Sequence, residues 1–232
     1  MDLKGSNVVV TGAFGSLGAA VMRGALAAGA NVAGIDRIAA ASAADAFGAA
    51  RLYGDVDLGD ARAASAALDR IAADLGGIDA LVNVAGAFRW ETLQGGKLET
   101  WDLLYNVNVR TAAAASQAAL PHLLRRAPGG RIVNIGAAGA IKAAAGMGAY
   151  AASKAGVAKL TEALAEELKD HGITVNAVLP SIIDTAPNRA DMRDADFSRW
   201  VTVDQLTDVI LFLLSPRSQA VTGALIPVVG RV

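Results

Sequence analysis

Short apolar runs alternate along the chain with longer stretches whose apolar residues recur every three or four positions. Val8–Val10, Asn31–Ile35, Arg51–Tyr53, Ala80–Asn83, Arg131–Ile135, Thr174–Leu179 and Ala224–Val228 read as strands. Leu17–Ala28, Leu58–Leu75, Thr100–Leu124, Gly148–Lys169 and Val203–Leu214 read as helices, with a polar connection after Ile35. Strands apolar on both faces and separated by helices predict a parallel sheet covered on both sides, a doubly wound α/β layout. No proline- or serine-rich linker, charge block or internal repeat divides the chain, so residues 1–232 are expected to form a single domain.

Composition narrows the function classes. The 232 residues carry a formal net charge of -1, which gives no broad basic field for nucleic acid or anionic lipid. A hydrophobic fraction of 53% with only 5% aromatics reflects abundant alanine. The uncharged stretch from Gly5 to Met22 is broken by Gly12, Gly15 and Gly18, unlike a spanning helix or a signal-peptide core. The expected location is the cytoplasm. With Cys 0 and His 2, the latter far apart as His122 and His171, thiolate chemistry and a multi-histidine metal centre are excluded. Both histidines read as structural, and redox chemistry would need a borrowed cofactor.

In a doubly wound sheet, ligands sit beyond the carboxyl ends of the strands. The first strand leads into Thr11-Gly12-Ala13-Phe14-Gly15-Ser16-Leu17-Gly18, a glycine-spaced turn opening a helix. Glycines there let backbone amides and the positive helix N-terminus approach a pyrophosphate, although a tight turn without ligand has the same spacing. Asp36 ends the second strand, where a carboxylate bonds adenosine ribose hydroxyls, and this favours NAD(H). NADP(H) stays possible, because Arg37 could offset the repulsion of a 2′-phosphate. Asp55 and Val56 follow the third strand, and Asn83-Val84-Ala85-Gly86 the fourth; both permit close cofactor approach and both suit ordinary turns.

Tyr150-Ala151-Ala152-Ser153-Lys154 begins a helix, and its i,i+4 spacing puts a phenol and an ammonium on one face. A nearby cation favours the phenolate, so the expectation is a tyrosine with lowered pKa. Taken alone, the pattern also describes a buried tyrosine beside a surface lysine. The Thr11–Gly18 turn, Asp36, the Asn83–Gly86 segment, Asn108, Tyr150 with Lys154, and Asn176-Ala177-Val178-Leu179-Pro180 together resemble the short-chain dehydrogenase/reductase family over essentially the whole chain. The resemblance implies a Rossmann-type fold and Tyr150 as general acid in reduction. It implies that Lys154 lowers the tyrosine pKa and holds the nicotinamide ribose, and that Asn108 anchors a water in a proton relay. Gly12, Phe14, Gly15, Ser16, Leu17, Gly18, Asp36, Arg37, Asp55, Val56, Asn83, Ala85 and Gly86 would contact the dinucleotide, with Pro180, Ile183 and Thr185 lining its nicotinamide end.

The chain departs from the family at Ala137, where most members carry a carbonyl-polarising serine. No serine or threonine stands between Ser116 and Ser153 to replace it. Loss of such a donor costs about 2.7–4 kcal/mol where the reaction depends on it. The segment Asp184–Trp200 resembles that of dihydropteridine reductases, a divergent branch that also lacks the serine and reduces a quinonoid dihydropterin with NADH. On that resemblance the substrate is a planar heterocycle and residues 184–202 form a substrate loop. Trp90 and Trp200 are stacking candidates, or else packing residues. Arg189 is a candidate for an acidic substrate group, as are Arg193 and Arg199, but all three better suit solvated pairs with Asp191, Asp194 and Asp196. Rival readings are an alcohol/carbonyl oxidoreductase and a nucleotide-sensing protein without turnover. The alanine-rich long helices suit a homo-oligomer.

Overall fold

The structure, a computed structural model, describes residues 2–40 and 47–232. Part of the polar connection expected after Ile35 falls on residues 41–46, outside the described residues. The first half runs β1 (Asn7–Thr11), α1 (Ser16–Ala27), β2 (Asn31–Ile35), β3 (Arg51–Tyr53), α2 (Ala61–Leu75) and β4 (Ala80–Asn83). The second half continues through α3 (Leu98–Leu104), a wide π turn at Tyr105–Arg110, α4 (Thr111–Arg125), β5 (Arg131–Ile135), α5 (Gly148–Leu168) and β6 (Thr174–Pro180). It closes with β7 (Ile183–Asp184), α6 (Ala186–Asp191), β8 (Val201–Thr202), α7 (Val203–Leu214) and β9 (Leu225–Val228).

Seven of these strands form one sheet in the order β3-β2-β1-β4-β5-β6-β9, and every neighbouring pair is parallel. The chain winds outward from β1 to β3, then crosses to β4 and winds the other way. The carboxyl ends of β1 and β4 thus flank the switch point where such sheets open a crevice. Alternate residues of each strand feed two cores. Val8, Val10, Val82 and Val133 pack with α1 and α7, whereas Val9, Leu81, Ile132 and Val175 pack with α2, α4 and α5.

Local chemistry sets the helix ends. Asp60 caps α2 by accepting from the amides of Arg62 and Ala63, which moves its start to Ala61 rather than the expected Leu58. Thr202 and Gln205 form a reciprocal capping box at α7. His122 joins α4 to α2 through Asp69 at 2.8 Å, a structural place for that histidine. The expected loop 184–202 contains α6, a 3-10 turn and β8, with β7 pairing β8. Among the described residues, no helix is long and apolar enough to cross a membrane.

Candidate active site

A crevice of about 400 Å³ opens at the switch point, lined by Gly12, Gly15, Ser16, Leu17, Gly18, Asp36, Arg37, Val56, Ala85 and Gly86. The sequence singles out all of these. Its wall also includes Val84, from the same segment as Ala85 and Gly86, and Ile38, Asp57, Leu58, Ala87, Val107 and Thr111, which carry no motif. Gly12 and Gly18 are sterically required: Gly12 has φ +60, and a Cβ on Gly18 would stand 2.1 Å from the Gly12 carbonyl oxygen. Gly15 precedes the first residue of α1, Ser16, and supplies no side-chain cap, leaving the helix's first amides for an anion. Thr11 tightens the same corner, since its Oγ1 accepts from the amides of Val84 and Ala85 at 3.1 Å each.

Asp36 stands at the wall with its carboxylate oriented by two amides. Phe14 N–H donates to Oδ2 at 2.9 Å and Ile38 N–H donates to Oδ1 at 3.1 Å. Arg37 is exposed beside it. The close glycine approaches, the uncapped helix start and the fixed carboxylate together fit a dinucleotide.

Phe14, Asp55 and Asn83, expected to touch cofactor, are not among the residues lining the crevice. The Phe14 ring stacks on Phe47 and packs against the α1/α7 core, so only its backbone serves the crevice, through Asp36. Asp55 is exposed and stands outside the crevice lining, with φ 59. Asn83 is buried in a polar ladder, donating to Ser116 Oγ and Asn134 Oδ1, while Asn134 donates to Thr161. Pro180 ends β6, Ile183 lies in β7 and Thr185 caps α6; none of the three is in the crevice lining.

The crevice leads to the first turn of α5. A Cβ on Gly86 would stand 2.6 Å from Asn108 Oδ1 and 3.4 Å from Lys154 Nζ, so both side chains crowd its inner end. Lys154 is buried, donates to the Ile135 carbonyl at 2.8 Å, and lies 6.0 Å from the centre of the Tyr150 ring. Burial pushes the Tyr150 phenol up to about 12 and the Lys154 ammonium down to about 8. The expected lowering of the tyrosine is therefore not found; loss of solvent at the buried phenol raises it instead. Asn108 sits in the π turn, where the Thr111 amide reaches back to the Asn106 carbonyl; its amide bonds both the N–H and the C=O of Ala87.

Ala137 is 3% exposed and heads the 3-10 turn at Ala138–Ala140, which packs on α5. The site thus has a methyl where the resemblance noted in the sequence leads one to expect a hydroxyl. The aromatic wall differs from expectation. Phe88 meets Tyr150 edge to face at 4.9 Å and is 52% exposed, a neighbour that no motif marks. Trp90 is 63% exposed and lies over Gly146, with its indole N–H donating to the Ala145 carbonyl at 3.0 Å. Trp200, by contrast, is 5% exposed and packs on Phe197, so it offers no stacking surface. Nor do the loop arginines pair as expected: Arg189 forks onto Asp184 over the Phe197 ring, Arg193 donates to the Ala190 carbonyl and Arg199 to the Arg231 carbonyl.

The short chain dehydrogenase family model matches residues 6–196. The chain is 34% identical over 242 residues to 2-dehydro-3-deoxy-D-gluconate 5-dehydrogenase of Escherichia coli (strain K12), covering 99% of this chain and 96% of that protein. It is 31% identical over 243 residues to L-xylulose reductase of Mesocricetus auratus, covering 99% and 97% respectively. A solved short chain dehydrogenase from Burkholderia cenocepacia J2315, in complex with NADP, is similar at a TM-score of 0.87 and 35% identity, covering 99% of this chain and 98% of that one. Neither of the two named enzymes is a dihydropteridine reductase.

Proposed function

Because the chain belongs to the short-chain dehydrogenase family, we propose that it reduces a planar, conjugated heterocycle with NADH, Tyr150 supplying the proton. Membership makes it an NAD(P)-dependent oxidoreductase; the acid, the cofactor preference and the substrate class rest on the site. Bound in the crevice, a reduced nicotinamide dinucleotide supplies the hydride. Gly12, Gly15, Gly18 and the first turn of α1 would hold its pyrophosphate, Asp36 its adenosine ribose and Lys154 its nicotinamide ribose. Two amides already fix the Asp36 carboxylate, so it is poorly free to turn from a 2′-phosphate, and this favours NADH over NADPH.

With its phenol pushed up to about 12, Tyr150 carries its proton throughout the neutral range, as a general acid must. The Lys154 ammonium favours the phenolate left after transfer. The observation that carries the substrate reading is the pairing of this acid with Ala137 and Phe88. One protein donor without a second hydroxyl suits a substrate whose charge spreads over ring nitrogens, and the exposed Phe88 ring offers a planar molecule an apolar surface. On this reading the enzyme is cytoplasmic and self-associates through alanine-bearing surfaces of α4 and α5, where Ala113, Ala114 and Ala118 are half-buried and Ala152 is exposed. Nucleic acid and membrane have no part in it.

The test is NADH oxidation with a quinonoid dihydropterin, in the parent and in Tyr150→Phe. The expected result is turnover that falls about 10²–10⁴-fold in the variant; equal rates would remove Tyr150 as the acid. A second reading, an alcohol/carbonyl oxidoreductase, draws on the relatives named for sugar-derived substrates. Preference of the parent for a ketone over the pterin would select it. Family membership and the closely placed Tyr150 and Lys154 favour either enzyme over a nucleotide sensor without turnover.

A further inference from the structure

Ser153 takes no part in the chemistry above, yet its hydroxyl is buried and engaged on both sides. Its Oγ donates to the Tyr150 carbonyl at 2.7 Å and accepts from Asn108 Nδ2 at 2.9 Å. The far side of the Asn108 amide closes on Ala87: Nδ2 donates to the Ala87 carbonyl at 3.0 Å, and Oδ1 accepts from the Ala87 amide at 2.8 Å. A continuous run of hydrogen bonds therefore links the first turn of α5 to the crevice strip at Gly86 and Ala87.

The run has a direction. A helical serine commonly spends its proton on a carbonyl one turn back, and Ser153 does so. Only lone pairs then face Asn108, which must present its NH₂ group to Ser153 and its oxygen to the Ala87 N–H. A flipped amide would set oxygen against oxygen and NH₂ against N–H. Asn108 is 1% exposed, so water cannot readily take over a lost partner.

We propose that Ser153 is a positioning residue for the reaction. By fixing which way the Asn108 amide faces, it sets the separation between the Gly86–Ala87 strip and the Tyr150–Lys154 face. The proposal rests on the reading of Tyr150 and Lys154 as the reacting face.

The experiment compares Ser153→Ala, Ser153→Thr, Asn108→Ala and the double variant Ser153→Ala/Asn108→Ala, using NADH and whichever substrate the parent turns over. In Ser153→Ala, kcat should fall about tenfold to a hundredfold with substrate KM little changed, as expected of small misplacement rather than lost binding. Ser153→Thr, which keeps the hydroxyl, should recover most of the rate. On Asn108→Ala, adding Ser153→Ala should cost nothing more, because the two act as one unit. Parental kcat in Ser153→Ala, or additive losses in the double variant, would overturn the proposal. Hydrogen exchange at the Ala87 amide, measured without substrate, should quicken in Ser153→Ala; unchanged protection overturns the proposal even if Tyr150→Phe is inactive. An active Tyr150→Phe alongside faster Ala87 exchange and a slowed Ser153→Ala removes the acid and leaves Ser153 in its role.

Discussion

Lys154 Nζ and the carbonyl of Ile135 are joined by a 2.8 Å hydrogen bond, which leaves the ammonium 6.0 Å from the centre of the Tyr150 ring. The cation is anchored to β5 and its influence on the phenol is exerted from a fixed point. Burial lowers its pKa from 10.5 to about 8. Turnover in the reducing direction should therefore be level below about pH 8 and decline above it, as the charge that favours the phenolate disappears. A kcat–pH profile checks this, and a profile level to pH 10 would remove Lys154 from the step.

The same burial predicts an unusual stability profile for the protein without ligand. Lys154 titrates at about 8 when folded and at 10.5 when unfolded, so between these values the unfolded chain holds the extra proton and stability rises with pH. The gain is on the order of 3 kcal/mol. Above pH 10 the sign reverses. Tyr150 and Tyr53 are both raised to about 12, Tyr53 mainly by burial and then by its bond to Asp74, so the unfolded phenols ionise first. Urea denaturation across pH 7–11 should show the rise, and Lys154→Met should abolish it.

Asp36 is oriented by the amides of Phe14 and Ile38. Asp36→Ala should remove the anion facing a 2′-phosphate and leave exposed Arg37 to attract it. The NADH/NADPH ratio of kcat/KM should shift toward NADPH by about tenfold or more, the equivalent of about 1.4 kcal/mol. Unaltered selectivity would take the discriminating role away from Asp36.

Ala137 is buried with an extended backbone, φ -161 and ψ 151, a conformation that serine adopts without strain. Ala137→Ser should raise kcat/KM for simple ketones by about 10²-fold, the scale of a single preorganised donor. Little or no gain should appear with the dihydropterin. A parent that already reduces simple ketones well, with no gain from the serine, would refute the argument built on this position.

The glycine turn leaves no room for a side chain at Gly18, where a Cβ would lie 2.1 Å from the Gly12 oxygen. Gly18→Ala should force the turn and α1 apart, abolish NADH binding measured by fluorescence, and destabilise the fold by about 1–3 kcal/mol. Gly15→Ala is the control for stability alone: its Cβ would meet only the Gly12 oxygen at 3.5 Å, an ordinary contact, so the fold should keep its parental stability.

Much of this architecture is legible before any coordinates. Strands such as Val8–Val10 and Ile132–Val133 are apolar on both faces, and the helices between them carry a clear 3.6-residue period, so the order of elements and the parallel sheet follow from pattern alone. The glycine turn, Asp36 and Gly86 converge as spacing implies. What escapes the sequence is what depends on environment or on very short segments. β7, β8 and α6 are too brief to show a period. Asn83 carries the chemistry of a ligand contact, but faces Ser116 and Asn134 instead. Trp200 has the size for stacking, yet is enclosed, while Phe88 reaches Tyr150 through a loop whose course no motif encodes. The tyrosine pKa moves opposite to expectation, because spacing reports the nearby cation and says nothing of the lost water.

The wide turn at Tyr105–Arg110 makes chain length itself a constraint. Each residue of an ordinary helix advances the direction of the next by about 100°, and the turn accommodates one more residue than regular winding would. Deleting any single residue within it would let the helix rewind smoothly while swinging α3 through about that angle relative to α4, carrying Asn108 off Ala87 or Leu104 out of the interior. Insertions and deletions here should be far less tolerated than amino-acid replacements at its exposed positions, such as Asn106 and Arg110.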